Sequence, residues 1–326
     1  MSHLLKKLFQ IKCTIATACI AVQLCHLPVF ADDEKSDLQK RREENETVEQ
    51  KFIDSNIAIS NWLDGAAEGL DLFLVGKKLT NAKNETAVRI ENSTYTMEGA
   101  NLTNATSLNV NLRLPNLEEY WQLKFTTYDE TEERRSVKSG YLRQTPREQN
   151  LGATVGLFRK LGNVRTSFQP RIGLQDPLKV SHSLKFESIV DNKNYKINPK
   201  VELYADADKG TGIYWNLNFN FELNPLWSFT LINEANYEDK THLYSAGNGF
   251  SFGNYINETT TMGYTLIFTS LNQPSYHLES YSASVSWNQL VYKKILDYQI
   301  IPHLDFAKDR SFKGQAGLIF NLNLNF

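Results

Sequence analysis

Cysteine is confined to the first 25 residues of this 326-residue chain, at Cys13, Cys19 and Cys25. The rest of the chain therefore offers no thiol nucleophile, no cysteine-bound metal and no disulfide to form in an oxidising compartment. Beyond the first thirty residues there is also no uncharged apolar run of about 18 residues, so no transmembrane helix is expected there. The formal charge is only −2, and such a balance gives no support for nucleic-acid binding.

The first 31 residues have the pattern of an export signal that is later removed. Lys6 and Lys7 supply a positive start, residues 13–29 are mostly apolar, and "VFA" at 29–31 has the form of a cleavage site. A membrane anchor that stays attached and lipid attachment at Cys19 are the alternatives. We expect a cleaved signal peptide over residues 1–31.

Two segments of different character follow the signal. Residues 32–54 are densely charged and have little to bury, so we expect a flexible or loosely helical stretch. Within residues 55–78, apolar residues recur every three or four positions across 56–75, which predicts one amphipathic helix. We expect this helix to pack at the rim of the following domain. A lumen plug and a helix on the membrane surface are the alternatives, although the acidic polar face disfavours anionic lipid.

From residue 84 to residue 326 the pattern has a period of two, as in "WNLNFNFE" at residues 215–222. Turn signals such as "KLGN", "DNKN" and "DADKG" separate fourteen such runs. The runs recur about every 15 to 18 residues, more widely than the turn signals of a soluble sandwich. Strands of about 10 residues suit a tilted crossing of a bilayer.

The two faces of these strands favour a transmembrane antiparallel β-barrel. Aromatic residues near the ends of the apolar faces are typical of girdles at the two bilayer interfaces. Strands can span lipid only as a closed ring, because every backbone group must be paired. We predict an all-β barrel of about 14 strands preceded by one helix, or 12 strands if the first two runs form a periplasmic hairpin. Short turns then face the periplasm, and residues 128–149 form the second outer loop.

Three stretches carry a resemblance to a known family. "NWLDGAAEGLDLFLVGKK", "NVNLRLPNLEEYWQLKF" with "YDETEE" after it, and "GLIFNLNLNF" resemble uncharacterised exported outer-membrane proteins of Gram-negative bacteria. The resemblance implies an outer-membrane location and brings no catalytic or ligand residues. The last stretch also resembles the C-terminal signal of outer-membrane barrels, which implies recognition by the barrel-assembly machinery. The matching residues are Leu318, Phe320, Leu322, Leu324 and Phe326.

Charged residues on the polar faces of the strands are predicted to line the lumen. Because both signs are present, we expect no strong ion selectivity, and salt bridges between them could close the bore. The predicted lumen-lining residues are Lys124, Arg165, Arg171, Lys185, Glu187, Lys196, Lys200, Glu202, Glu222, Glu234, Asp297, His303 and Asp305.

Catalysis has little support in the sequence. His182 lies between two serines, but neighbours on a strand point to opposite faces. His303 and Asp305 share a face and could act as an acid/base pair, although a polar network is the interpretation we favour. Metal-ligand spacings are absent from the sequence, so we expect no metal and no cofactor.

The function we predict is a porin-like channel in outer-membrane lipid, and not an enzyme. A structural or assembly barrel that docks a periplasmic partner through the 56–75 helix is the alternative. A barrel hydrolase comes third.

Overall fold

The computed structural model describes residues 36–75, 86–116, 121–135, 138, 141–192, 194–292 and 295–326. The chain divides into two units between Asp54 and Ser55. The predicted signal peptide over 1–31 and the predicted end of the helix at 76–78 lie outside the described residues.

Helix α1 spans Ser36–Val75 and begins well before the predicted start at residue 55. The described part of the segment that we expected to be flexible or loosely helical, from Ser36 onward, is therefore helical. Lys, Arg, Glu and Gln dominate it and have high helix propensity, so it can form a helix without an apolar stripe. No helix in the described residues is both long and apolar enough to cross a membrane.

The described residues of the second unit form fourteen long strands and one short one, in agreement with the predicted fourteen runs. The strands are β1 (Ala87–Met97), β2 (Thr103–Arg113), β3 (Trp121–Thr126), β4 (Gly152–Leu161), β5 (Val164–Gly173), β6 (Lys179–Ser188), β7 (Val190–Asn192), β8 (Tyr195–Asp206), β9 (Gly210–Asn224), β10 (Trp227–Glu238), β11 (Leu243–Asn257), β12 (Thr260–Leu271), β13 (His277–Tyr292), β14 (Leu296–Ala307) and β15 (Gly314–Asn325). A short helix α2 (Glu130–Arg135) and a 3-10 turn (Lys308–Arg310) lie between strands.

The fourteen long strands form a closed antiparallel barrel. Each pairs with its neighbours in sequence, β1 pairs with β15, and β6 pairs with β8 across the three-residue β7, which lies outside the ring. At the seam between the first and last strands, Phe326 N–H donates to Val88 O at 2.9 Å and Val88 N–H to Phe326 O at 3.1 Å. Among the described strands, closure leaves the ring itself without an open edge, which is what a lipid-spanning sheet requires.

The hairpins between strands follow ordinary turn chemistry. Gly162 has φ +62° in the two-residue loop between β4 and β5, a conformation that glycine adopts without strain. The side chain of Asp206 accepts hydrogen bonds from the N–H groups of Asp208 and Lys209 at the turn into β9. Asn224 does the same for Leu226 and Trp227 before β10. These local bonds explain why the turn signals in the sequence locate the strand ends so well.

The wall of the barrel has an apolar outer face and a polar inner face. On β15, Leu318 and Phe320 are 41% and 37% exposed and point outward, whereas Asn321 and Asn323 are buried inside the ring. Aromatic rings on the outer face contact each other at two levels. One level includes Phe221, Phe229 and Phe252, and the other includes Tyr281, Phe306 and Phe312. The predicted transmembrane barrel is therefore confirmed, with 14 strands in the ring and not 12.

Helix α1 contacts one end of this barrel through its polar side. We call this the inner end, because short turns of outer-membrane barrels face the periplasm. Asn56 Nδ2 donates to Asn325 O at 2.8 Å, and Thr86 N–H donates to the Asp64 carboxylate at 3.1 Å. Asp71, fully buried, accepts from both N–H and Nδ2 of Asn116 at 2.9 Å.

Candidate functional site

The longest connection between ring strands covers residues 127–151, between β3 and β4, and its described residues 127–135, 138 and 141–151 fold into the bore. We call it the constriction loop. It leaves β3 at the outer end, and its described residues contact inward-facing side chains of β1, β5, β8, β10, β14 and β15. The sequence predicted this stretch as an outer loop but not its entry into the barrel.

The first part of the loop is the short helix α2. Asp129 caps it, since its carboxylate accepts from the N–H of Thr131 at 2.9 Å and of Glu132 at 3.1 Å. The other oxygen of the same carboxylate lies 3.4 Å from Nε of the buried Arg171 on β5. The Asp129 side chain therefore caps α2 and also connects it, through Arg171, to β5 of the barrel wall.

Arg135, the last residue of α2, is buried against β8. Its guanidinium donates to Glu202 at 3.2 Å and stacks over the ring of Tyr204, with 3.9 Å between the guanidinium carbon and the ring centroid. The Arg135 and Glu202 side chains are only 5% and 4% exposed. Because both side chains are buried, loss of one partner would leave the other as an unpaired buried charge, which would strongly destabilise the loop contact.

The tip of the loop reaches the opposite side of the barrel. Lys138 Nζ donates to Asp305 of β14 at 2.6 Å, and the hydroxyl of Tyr141 donates to Glu234 of β10. Leu142, 2% exposed, packs with Tyr95 of β1, Ile301 of β14 and Ile319 of β15. The apolar contact and the two polar contacts together span several wall strands.

The returning part of the loop carries two arginines that share two acids. Arg147 donates to Glu91 of β1 at 2.6 Å and to Glu133 of α2 at 2.8 Å. Arg143 also donates to Glu91 and to Glu133. Their side chains are 13–20% exposed, so the four groups form a half-buried, alternating network.

The ionisation of loop groups supports these contacts. Burial alone would lower the pKa of Arg143, but Glu91 and the neighbouring Tyr95 and Glu133 raise it above its ordinary value. Burial and the charge of Glu234 raise the pKa of Tyr141, so its hydroxyl keeps the proton that it donates. Burial alone would raise the pKa of Glu130, but Arg134 and Lys124 outweigh it and hold the pKa below its usual value. Arg143 and Glu130 are therefore charged at neutral pH, whereas Tyr141 is neutral.

Six of the thirteen residues predicted to line the lumen contact the constriction loop. Besides the pairs above, Lys124 donates to Glu130 at 3.2 Å, and His303 Nδ1 lies 3.2 Å from the side-chain nitrogen of Gln144. Asp305 also accepts from Ser282 and Arg310. The six are Lys124, Arg171, Glu202, Glu234, His303 and Asp305.

The other seven predicted residues form contacts away from the loop. Lys185 and Lys200 lie directly across the β6–β8 pairing from Glu202 and Glu187. Arg165 lies 3.9 Å from Glu187 near the inner end, where Lys196 lies 3.2 Å from Glu222. Asp297 accepts from Asn323 at 2.6 Å and from Asn325 at 3.0 Å.

Several residues of the site were missed by the sequence reasoning. Glu91 was not singled out because β1 carries weaker alternation than the other strands, and residues 128–149 were predicted only as an outer loop. The only signal in the sequence was the unusual length and charge density of residues 128–149. The missed residues include Glu91, Arg135, Lys138, Tyr141, Arg143 and Arg147.

Two cavities of about 150 and 290 Å³ adjoin the constriction loop on its outer side. Asp129, Glu132, Glu148, Asn150 and Lys209 line both of them. Since a water molecule occupies roughly 30 Å³ in the liquid, each cavity has room for several. Among the described residues, no three His, Cys, Asp or Glu side chains are grouped so as to hold a metal ion.

Known proteins were compared with the chain and its structure. No protein-family model and no curated protein sequence matches the chain. Solved structures similar to it include the KdgM porin, with 9% sequence identity and a TM-score of 0.37 over 73% of this chain and 99% of that one. OmpT of Vibrio cholerae lacking loop L8 is also similar, with 7% sequence identity and a TM-score of 0.45 over 75% of this chain and 99% of that one. OccK11 of Pseudomonas aeruginosa has 9% sequence identity and a TM-score of 0.43 over 74% of this chain and 94% of that one.

The chain is an outer-membrane β-barrel protein. The argument from its own coordinates is the closed ring together with the apolar outer face and the two levels of aromatic rings. Its predicted location in the bacterial outer membrane is confirmed.

Proposed function

We propose that this barrel is a channel whose conduction path is narrowed by the constriction loop. The observation that carries the proposal is the set of loop contacts with β1, β5, β8, β10 and β14, which lie around much of the ring. A loop held at so many points divides the bore instead of covering its mouth. Ions and small polar solutes would pass between the loop and the uncontacted parts of the wall.

The charges of the loop predict weak ion selectivity. Residues 127–151 carry five acidic and five basic side chains, so their net charge is zero. The basic side chains that enter the bore are paired with acids of the wall or of α2. Paired charges leave little net field along the path, so cations and anions should cross with similar ease.

Single-channel recording in a planar bilayer tests this proposal. The purified, folded barrel should give discrete steps of small conductance and a reversal potential near zero in a salt gradient. A strong preference for one ion sign would contradict the charge argument. A membrane that stays silent after verified insertion of the barrel would contradict the channel function.

The second candidate is a structural barrel that docks a periplasmic partner through α1. It is favoured by the exposed apolar residues of this helix, of which Trp62 and Phe73 are 69% and 83% exposed. Silence in the bilayer together with a protein that purifies with the barrel and is lost on deletion of α1 would support it. For either candidate function, we also propose that the barrel-assembly machinery recognises the last strand, β15.

An enzymatic function has less support, and we propose that the barrel is not an enzyme. His182 lies on the outer wall, where its ring centroid is 6.2 Å from that of Phe168. His303 contacts Gln144, while Asp305 accepts from Lys138, Ser282 and Arg310. Both side chains thus belong to the polar network that holds the constriction loop.

A further inference from the structure

Four basic side chains form a row across neighbouring strands of the inner wall. Lys160 of β4 lies directly across from Arg165 of β5. Lys185 of β6 lies one diagonal step from Arg165 and one from Lys200 of β8. Direct neighbours on paired strands have Cβ atoms about 5 Å apart, and diagonal neighbours about 7–8 Å. At about 4.8 Å per strand the four cations span roughly 15 Å of the wall, and we call them the basic row.

The basic row faces the bore on the inner side of the constriction loop. Arg165 shares a strand face with Arg171, and Lys200 shares one with Glu202. Both Arg171 and Glu202 contact the loop, so the row points inward. One end of the row adjoins the short inner turn between β4 and β5, and the other lies beneath α2, where the charge of Arg134 acts on Lys200. A solute in the inner half of the lumen therefore has access to the row.

The inner part of the row has fewer acidic than basic side chains. Glu187 lies 2.9 Å from Lys185 and 3.9 Å from Arg165, so two cations share one carboxylate. Among the described residues, Lys160 is exposed and forms no ion pair. The guanidinium of Arg165, whose side chain is 59% exposed, lies 5.2 Å from the ring centroid of Phe158. An aromatic ring holds a cation in place without cancelling its charge.

Lys200, at the other end of the row, is positioned in a similar way. Its Nζ lies 3.4 Å from Glu202, but the same carboxylate already accepts from the buried Arg135 at 3.2 Å. Nζ of Lys200 also lies 4.6 Å from the ring centroid of Tyr214, which is 1% exposed. The row is therefore held in place by rings and shared acids, and it keeps an excess of positive charge.

We propose that the basic row binds small solutes that carry two or more anionic groups, such as linked phosphates or carboxylates. The inference rests on the channel proposal, because it names a class of solute that the lumen holds. Cations spaced by about 5–8 Å contact several anionic groups of one solute, whereas a monovalent anion meets only one or two of these cations.

The acids of the opposite wall keep this binding distinct from ion selectivity. Glu91, Glu234 and Asp305 point inward on β1, β10 and β14. The lumen therefore carries opposite charges on different walls, and small monovalent ions of either sign still cross with similar ease. A solute with several anionic groups is instead retained along the wall of β4, β5, β6 and β8.

Isothermal titration calorimetry of the folded barrel in a non-ionic detergent tests the site without any need for conduction. The probe is inorganic tripolyphosphate, and orthophosphate is the comparison. Tripolyphosphate should bind at least about tenfold more tightly, because it contacts several cations at once. Its affinity should fall as salt is added, since the contacts are electrostatic. Equal affinity for the two probes, or no binding of either at low salt, would overturn the proposal.

Neutral variants locate the site. The double variant Lys160→Gln, Arg165→Gln removes two charges of the row at exposed positions and should weaken tripolyphosphate binding roughly tenfold. Lys196→Gln is the matched control, because Lys196 is a 44% exposed lysine of β8 that pairs with Glu222 outside the row. It should change the affinity by less than about twofold. Equal weakening in the two variants, or none in the double variant, would overturn the proposal. Heat-dependent mobility in gels first verifies that each variant is folded.

The binding site and the channel have separate outcomes. A barrel that binds tripolyphosphate through the row but stays silent in a planar bilayer would retain the site and contradict the channel. A barrel that conducts, but whose affinity for tripolyphosphate is the same in the double variant, would contradict the site and leave the channel proposal intact.

Discussion

Glu91 on β1 pairs with two arginines of the constriction loop. Its carboxylate accepts from Arg143 and Arg147 of the loop and from Ser93 of its own strand at 3.0 Å. In the variant Glu91→Gln the shape of the side chain is kept but the charge is lost. Arg143 and Arg147 then share only Glu133, within a network whose side chains are 20% exposed or less.

The magnitude of the effect follows from the burial of this network. Removal of one partner of a buried ion pair costs about 3–5 kcal/mol, and we take about 3 kcal/mol because Glu133 and a neutral acceptor remain. At 1.4 kcal/mol per factor of ten, the equilibrium between the inserted and displaced loop shifts by roughly a hundredfold. A displaced state that is rare in the unsubstituted chain should therefore be seen in every recording.

Single-channel recording of Glu91→Gln checks this prediction. We expect frequent transitions to a larger conductance, which the unsubstituted chain makes rarely. Glu222→Gln is the control, because Glu222 pairs with Lys196 at the inner end and its side chain is 64% exposed. Identical traces for Glu91→Gln and the unsubstituted chain would refute the reasoning, as would the same increase in Glu222→Gln.

Further predictions concern pH, packing and assembly. Arg134 and Lys124 outweigh burial and lower the pKa of Glu130 in the folded loop. The carboxylate therefore stabilises the loop fully above its ordinary pKa of 4.5, and this stabilisation is lost as the pH falls through the lowered pKa of the folded loop. The conductance should therefore rise in acid. Leu142→Ala should loosen the loop by about 2–5 kcal/mol and make it sensitive to added protease, whereas Leu278→Ala, at a 37% exposed position on β13, should not. Gly212→Ala should impair folding of the barrel, seen as loss of the heat-modifiable band, because a Cβ there would lie 2.2 Å from the ring of Tyr204 and 2.5 Å from Tyr237 O.

The architecture of the barrel could be predicted from the sequence because its information is local and periodic. Alternation such as that of residues 215–222 assigns each strand its outer and inner face, and turn residues such as Asp206 and Asn224 fix its ends. Each of the fourteen predicted runs overlaps a strand of the ring. Once each strand pairs with its neighbours in sequence, the only pairing left to predict is that of the first strand with the last. A lipid-spanning sheet must make this pairing, because it has to close into a ring.

The constriction loop could not be predicted in the same way. Its position depends on pairs far apart in the sequence, such as Arg143 with Glu91 and Arg135 with Glu202, separated by 52 and 67 residues. Charge density alone is equally typical of a solvated loop. The start of α1 was misplaced for a related reason, since residues 36–54 form a helix by propensity and carry no apolar period to reveal it.

The most direct test of the central claim compares the unit conductance of the unsubstituted barrel with that of a variant whose constriction loop is shortened. Residues 130–147 are replaced by a short Gly-Ser turn, which removes every ion pair between the loop and β1, β8 and β14. The account predicts a several-fold larger conductance for the shortened variant, with both barrels folded. Equal conductance in the two proteins, or no conductance in either, would contradict it.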